Sequence, residues 1–236
     1  MLILDNTALE VIPHMSNNNL ISEDYKSLNE KLHESSEEFG NKNNFLAREL
    51  PISIAILHKL FNYKSVLDYG CGKGLILDAL HKKLLPLGMN LQGYDPCVKK
   101  FAKPPRPADI LLCTDVLEHV EPEKTESVLN HINTLTTGVC YLIIDLLPAA
   151  KTLADGRNAH INLQTTGWWL STLSSKFTFS LQCINEASAD LQRRKPPTKK
   201  LIFIGANGKT NILPAINLFT ATHANVAQGS LREISN

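Results

Sequence analysis

What this chain lacks narrows what it can be. No uninterrupted apolar run reaches the roughly 20 residues that a membrane-spanning helix needs. The stretch from Met1 to Pro13 is apolar only in patches and carries Asp5 and Glu10, so no secretory leader is expected. No charge sign dominates: 24 Lys and Arg stand against 23 Asp and Glu, a net charge of +1. That balance gives no bulk signal for nucleic acid or an acidic membrane and leaves only local basic patches to consider. The five cysteines, Cys71, Cys97, Cys113, Cys140 and Cys183, form no C-x-x-C pair. Cys113 and Cys140 lie in apolar runs that read as buried strands, so the cysteines are taken as small core residues in a reducing, cytoplasmic compartment. There is no internal repeat.

What remains is ordinary in bulk, with 43% hydrophobic and 20% charged residues. A chain of 236 residues is long enough for one α/β domain with a sizeable core. Residues 1–50 read as an N-terminal segment and helix that could cap the domain, 51–206 as the domain, and 207–236 as an irregular tail. Ser16 to Asn19 has linker composition, and Ser22 is placed to cap a helix running to Ser35. A polar loop follows, and Pro51 is expected to start a second helix with a broad apolar face. From Ser65 the pattern alternates. Strands are expected at 65–69, 90–94, 109–114, 139–146, 177–183 and 200–204, with helices at 75–84, 122–135 and 166–173. This alternation predicts an open, mostly parallel sheet. Only about a dozen residues separate Asp95 from Asp109, too few for a helix and a strand, so a truncated third-strand region is expected there.

The most informative segment is Val66-Leu67-Asp68-Tyr69-Gly70-Cys71-Gly72-Lys73-Gly74. A short apolar run ends in an acid and feeds a glycine-rich turn that opens a helix. That is how an α/β protein presents a nucleotide-like ligand at the carboxyl end of its first strand. The glycine spacing G-x-G-x-G is tighter than the dinucleotide fingerprint, and no lysine followed by Ser or Thr makes it a P-loop. Asp95 ends the second strand, 21 residues beyond Gly74 (95 − 74), where an acid can accept two hydrogen bonds from a ribose diol.

This combination resembles motif I of the class I S-adenosylmethionine (SAM) methyltransferases and the acid that follows it. The run Asp115-Val116-Leu117-Glu118-His119-Val120 resembles motif IV and its neighbourhood in that superfamily. The resemblance implies a single Rossmann-like domain ending in an antiparallel hairpin, with SAM as cofactor. Asp68, Gly70, Cys71, Gly72, Gly74, Asp95, Thr114 and Asp115 are then the expected cofactor-binding residues. Tyr25 and Arg48 are candidates for the adenine side.

Asp115, Glu118 and His119 sit within five positions, and His160 follows in the polar loop Leu153 to His160. Two carboxylates and two imidazoles meeting at one point suit a divalent cation, with Mg²⁺, Mn²⁺ and Zn²⁺ all open. The set resembles two metal-dependent O-methyltransferase groups, those acting on the 3′-terminal ribose of small RNAs and those of the ubiquinone pathway. In the RNA group the first ligand is usually Glu, where this chain has Asp115. Glu118, His119 and His160 are the expected catalytic residues; Arg157, Trp168 and Trp169 are candidates for substrate contact. The basic run from Arg193 to Lys200 is either a solvated loop or a phosphate-facing patch. His131 reads as a surface helix residue, and His14, His33, His58, His81 and His223 as bland. The expected activity is O-methylation of a hydroxyl or vicinal diol on a nucleic acid terminus, sugar or small metabolite. Alternatives are a metal-free small-molecule methyltransferase and a catalytically silent SAM-binding partner subunit.

Overall fold

A computed structural model of the chain describes residues 20–37, 39, 44–190 and 197–206. The expected tail at 207–236, the linker Ser16 to Asn19, and Arg193, Arg194 and Lys195 lie outside these residues. Six strands form one sheet in the order β2-β1-β3-β4-β6-β5. They are β1 (Ser65–Tyr69), β2 (Asn90–Tyr94), β3 (Ala108–Thr114), β4 (Thr136–Asp145), β5 (Phe179–Ala187) and β6 (Thr198–Ala206). β1 pairs in parallel with β2 and β3, and β3 with β4; β6 runs antiparallel to both β4 and β5. The expected terminal hairpin is therefore β5–β6. The truncated region is a 3₁₀ turn at Lys99–Phe101, which leaves β2 at the sheet edge.

The helices are α1 (Glu23–Ser35), α2 (Asn44–Phe61), α3 (Leu75–Leu84), α4 (Thr125–Leu135) and α5 (Thr166–Ser174). None among the described residues is long and apolar enough to cross a membrane. Two apolar layers follow from the two-residue period of the central strands. Leu67, Tyr69, Leu111, Cys113, Cys140 and Leu142 join α4 and α5 on one face. Val66, Ile110, Leu112, Val139, Tyr141 and Ile143 join α2 and α3 on the other.

One boundary departs from expectation. Pro51 does not start α2 but lies inside it. Leu46, Leu50, Ile54 and Leu57 recur at helical spacing and are all buried. Burying two additional leucines contributes about 1.5–3 kcal/mol each, enough to offset the roughly 3 kcal/mol that an interior proline costs. The helix expected from Pro122 is likewise a 3₁₀ turn, Pro122–Lys124, followed by α4. His131 on α4 is not a plain surface residue: its Nδ1 lies 3.0 Å from the Tyr69 hydroxyl.

The chain winds one way from β1 to β2 and the other way to β3 and β4, so a crevice opens at the carboxyl ends of β1 and β3. Two loops cross there. Gly70 adopts φ +74°, and a Cβ on it would lie 2.4 Å from Cγ2 of Val116 in the loop after β3. Asp115, which begins that loop, is itself in the left-handed region at φ 56°. Glycine at position 70 is thus required both by the turn and by the contact with Val116.

Candidate active site

The crevice is a cavity of about 640 Å³, within the usual range for small-molecule sites. Its walls include Asp68 near the end of β1 with Gly70, Cys71 and Gly72 after it, Asp95 after β2, Thr114 at the end of β3 with Asp115 after it, and Asp145 at the end of β4. Gly74 lies behind the turn, where a Cβ would meet the Phe101 ring at 3.0 Å, and is not part of the wall.

Two carboxylates dominate the end of the cavity at β1 and β2. Asp95 accepts the backbone N–H of Gly72 at 3.0 Å on Oδ2 and that of Cys97 at 2.9 Å on Oδ1. These bonds fix its orientation and leave further lone pairs on both oxygens. Asp68 is buried, and its Oδ2 has no hydrogen-bond partner. Burial, with the charge of Asp95, pushes its carboxyl up to about 7. A buried oxygen without a donor is costly, so this end of the cavity is built to receive a polar ligand. The residues present fit a cofactor with a sugar diol and a charged amino-acid group.

Across the cavity, Glu118, His119 and His160 each bring one ligating atom within 4.8 Å of the others. Glu118 sits on a 3₁₀ turn, Leu117–His119, directly after β3, and is fully buried. Its Oε1 accepts the N–H of Asp145 at 3.1 Å, while Oε2 has no partner. Burial and the nearby charge of Asp115 hold this carboxyl well above its usual range. His119 Nδ1 is 2.8 Å from the carbonyl of Ala159, and His160 Nδ1 is 2.5 Å from that of Leu147. A carbonyl only accepts, so each Nδ1 carries a proton, and in the neutral ring Nε2 is the atom with the lone pair. Burial and the neighbouring His160 lower the His119 imidazole to about 3, so it is neutral at physiological pH. The rings meet edge to face with centroids 4.7 Å apart.

Asn158 ties the two ends of the loop carrying His160 together. Asn158 accepts from the N–H of Ala149 and of His160 on Oδ1 and donates to the carbonyl of Ala149. Buried Asn162 ties the segment after His160 to Glu118 and α4 through the Glu118 carbonyl and the Thr125 hydroxyl. The polar loop is therefore a rigid support for an imidazole.

Asp115 stands apart from this cluster. Its Oδ1 pairs with Lys200 Nζ at 2.6 Å, and Lys200 also approaches Asp145 at 3.8 Å. Asp115 is in the left-handed region, and its charge still acts on the Glu118 carboxyl. The substrate candidates also stand away from the cavity. Trp169 is fully buried and Trp168 is 38% exposed, since adjacent helical positions point about 100° apart. Arg157 pairs with Asp155 at 2.7 Å and lies over the outer face of the Tyr25 ring, 5.6 Å from its centroid. Tyr25 lines the cavity, whereas exposed Arg48 pairs with Glu49.

Sequence reasoning missed many cavity residues, four of them polar or aromatic groups that bear on the site. Asn29, His33 and Phe39 reach it from α1 and the turn that follows, and Lys200 from β6. His33, read as bland, has no partner near it in the sequence. Helical spacing with Tyr25 (25, 29, 33) was the available signal.

The family model described as a methyltransferase domain matches residues 41–180, more than half of the chain. No curated protein matches. Among solved structures, the chain is similar to the 1,6-didemethyltoxoflavin-N1-methyltransferase of Burkholderia thailandensis, crystallised with S-adenosylhomocysteine (SAH). Identity is 14%, with a TM-score of 0.51, over 84% of this chain and 93% of that one. An O-methyltransferase family protein from the same organism gives 14% identity and a TM-score of 0.44, over 80% and 64%. The methyltransferase domain of bacterial CtHen1-C gives 16% and 0.46, over 70% and 100%. With the glycine turn, the acid after β2 and the sheet order all in place, the chain belongs to the methyltransferase domain family and has the fold of the class I SAM-dependent enzymes.

Proposed function

We propose that this methyltransferase transfers the methyl group of SAM to an oxygen, with Glu118, His119 and His160 holding a divalent cation at the acceptor. The observation that carries the reading is the convergence of the Glu118 carboxylate and two imidazoles within 4.8 Å, in the same cavity as Asp68 and Asp95. Both imidazoles have the tautomer that a metal requires, fixed by backbone carbonyls behind them. With Asp115 committed to Lys200, the set is two nitrogens and one carboxylate. That mixture favours Zn²⁺ or Mn²⁺ over Mg²⁺, which prefers oxygen. A cation there supplies Lewis acidity to the acceptor hydroxyl. The acceptor class is a hydroxyl or vicinal diol, on a nucleic acid terminus, a sugar or a small metabolite.

When bound, SAM supplies an electrophilic methyl on a positively charged sulfur. Asp95 and Asp68 hold its polar groups at the β1–β2 end. Without a cation, a lone pair on Nε2 of His119 or His160 can take the hydroxyl proton as the oxygen–methyl bond forms and the sulfur–methyl bond breaks; with both Nε2 atoms on a cation, that proton would leave to solvent. Holding donor and acceptor aligned is the larger share of the work, worth up to roughly 7–11 kcal/mol in favourable cases. Metal-free catalysis is the second reading, favoured by the Nδ1 contacts that leave Nε2 of both imidazoles as the atom that could take a proton directly.

Chelation separates the two. Methyl transfer from radiolabelled SAM is measured against pools of RNA, glycans and catechols before and after dialysis with a chelator. The metal-assisted reading predicts a loss of at least about tenfold, restored by Zn²⁺ or Mn²⁺. Unchanged turnover in protein shown to be metal-free rejects the cation and leaves the histidines as bases.

A further inference from the structure

α1 is unusual among the five helices. Its buried side chains are Tyr25 and Asn29, both polar-tipped, so it has no apolar face seated in the core. Four hydrogen bonds, two at each end, fasten it instead. At its start, Ser22 donates its N–H to Glu121 Oε2 at 2.8 Å and its hydroxyl to Oε1 at 2.5 Å. At its end, Lys73 Nζ reaches the Ser36 carbonyl and Lys151 Nζ the Ser36 hydroxyl, each at 2.7 Å. Lys73 belongs to the glycine turn and Lys151 to the loop that carries His160. The helix is thus tied to both halves of the site and spans the cavity between them.

The face it turns to the cavity carries Tyr25, Asn29 and His33, with Phe39 beyond. Phe39 stacks edge-on against His33 at 4.7 Å and against His119 at 5.5 Å. His33 Nδ1 is buried with no hydrogen-bond partner. The ring is close enough to Asp95 for the two charges to interact. A buried, unpartnered nitrogen on a side chain that lines the cavity is costly to leave so, and a ligand in the cavity would relieve it.

We propose that α1 and the turn to Phe39 are a latched strap over the cofactor, and that His33 is the strap's own contact to the cofactor sugar, opposite Asp95. The inference rests on the reading that SAM occupies this cavity. His33 is a positioning residue that gives the strap a ligand to close on. Phe39 lies against His119, so the strap that covers the cofactor end also walls the acceptor end.

Calorimetry with SAH tests this without turnover. His33→Phe keeps the ring and its packing on Phe39 but removes both nitrogens; SAH affinity should fall about tenfold, the usual worth of one buried hydrogen bond. His33→Gln, which restores a polar atom, should recover to within about threefold of the wild type. An affinity of His33→Phe within twofold of the wild type overturns the proposal while leaving SAM binding intact. A wild type that binds no SAH overturns both. Should His33→Phe not fold, hydrogen exchange in the wild type decides. Saturating SAH should slow exchange across residues 23–35 at least about tenfold, and unchanged exchange refutes the strap.

Discussion

Replacing His160 by alanine is expected to lower the methyl-transfer rate by about a hundred- to ten-thousandfold while leaving SAH affinity within about twofold of the wild type. The two readouts separate because His160 is across the cavity from Asp68 and Asp95 and is supported by its own loop. The Asn158 contacts with Ala149 and with the His160 N–H do not involve the imidazole, so the loop keeps its shape in the variant. The Nδ1 contact to Leu147 and the edge-to-face contact with His119 are lost. Whether the imidazole ligates a cation or takes the proton, its removal takes a group from the acceptor side alone. A rate within threefold of the wild type removes His160 from the chemistry. A parallel fall in SAH affinity moves it to the cofactor side.

Gly70→Ala is expected to destabilise the fold by about 2–5 kcal/mol, combining roughly 1–2 for a left-handed side-chain-bearing residue with 1–3 for overpacking. The new Cβ would meet Val116 at 2.4 and 2.7 Å, at the crossing of the loops after β1 and β3. Relief requires those loops to separate, and they carry Gly72, Asp115 and Glu118. SAH binding should therefore weaken together with stability. Gly88 supplies the control. It has a similar φ of +72°, but a Cβ there meets nothing within 4 Å, so Gly88→Ala should cost only the backbone share, about 1–2 kcal/mol. Thermal or urea unfolding of both variants measures the difference. Equal losses at the two positions would show that the Val116 contact carries no weight.

Much of the frame was legible because it is local. A β-strand ending in an acid, a glycine turn and a helix declares itself over ten residues, and Glu118 and His119 are neighbours in sequence. The single-period apolar runs placed every strand, with ends displaced by a few residues. What escaped depends on contacts between distant segments. Asp115 pairs with a lysine on β6, and nothing around either residue announces the other. His33 and Phe39 become cavity residues only because Ser22 and Ser36 are fastened to Glu121, Lys73 and Lys151. Pro51 misled because a proline signals a helix start more often than an interior position, and the buried Leu46 and Leu50 that overrule it gain their weight from the sheet beneath. Trp168 and Trp169 were candidates for substrate contact, but Trp169 fills the core and neither lines the cavity.

The account rests on SAM lying in the crevice at the ends of β1 and β2 with its sugar on Asp95. Titration calorimetry of SAH into folded wild-type protein and Asp95→Ala tests this directly. One molecule should bind per chain, and the variant should bind about ten- to a hundredfold more weakly, the loss expected for hydrogen bonds to a charged group. No binding by the wild type, or equal affinity in the two proteins, would contradict it.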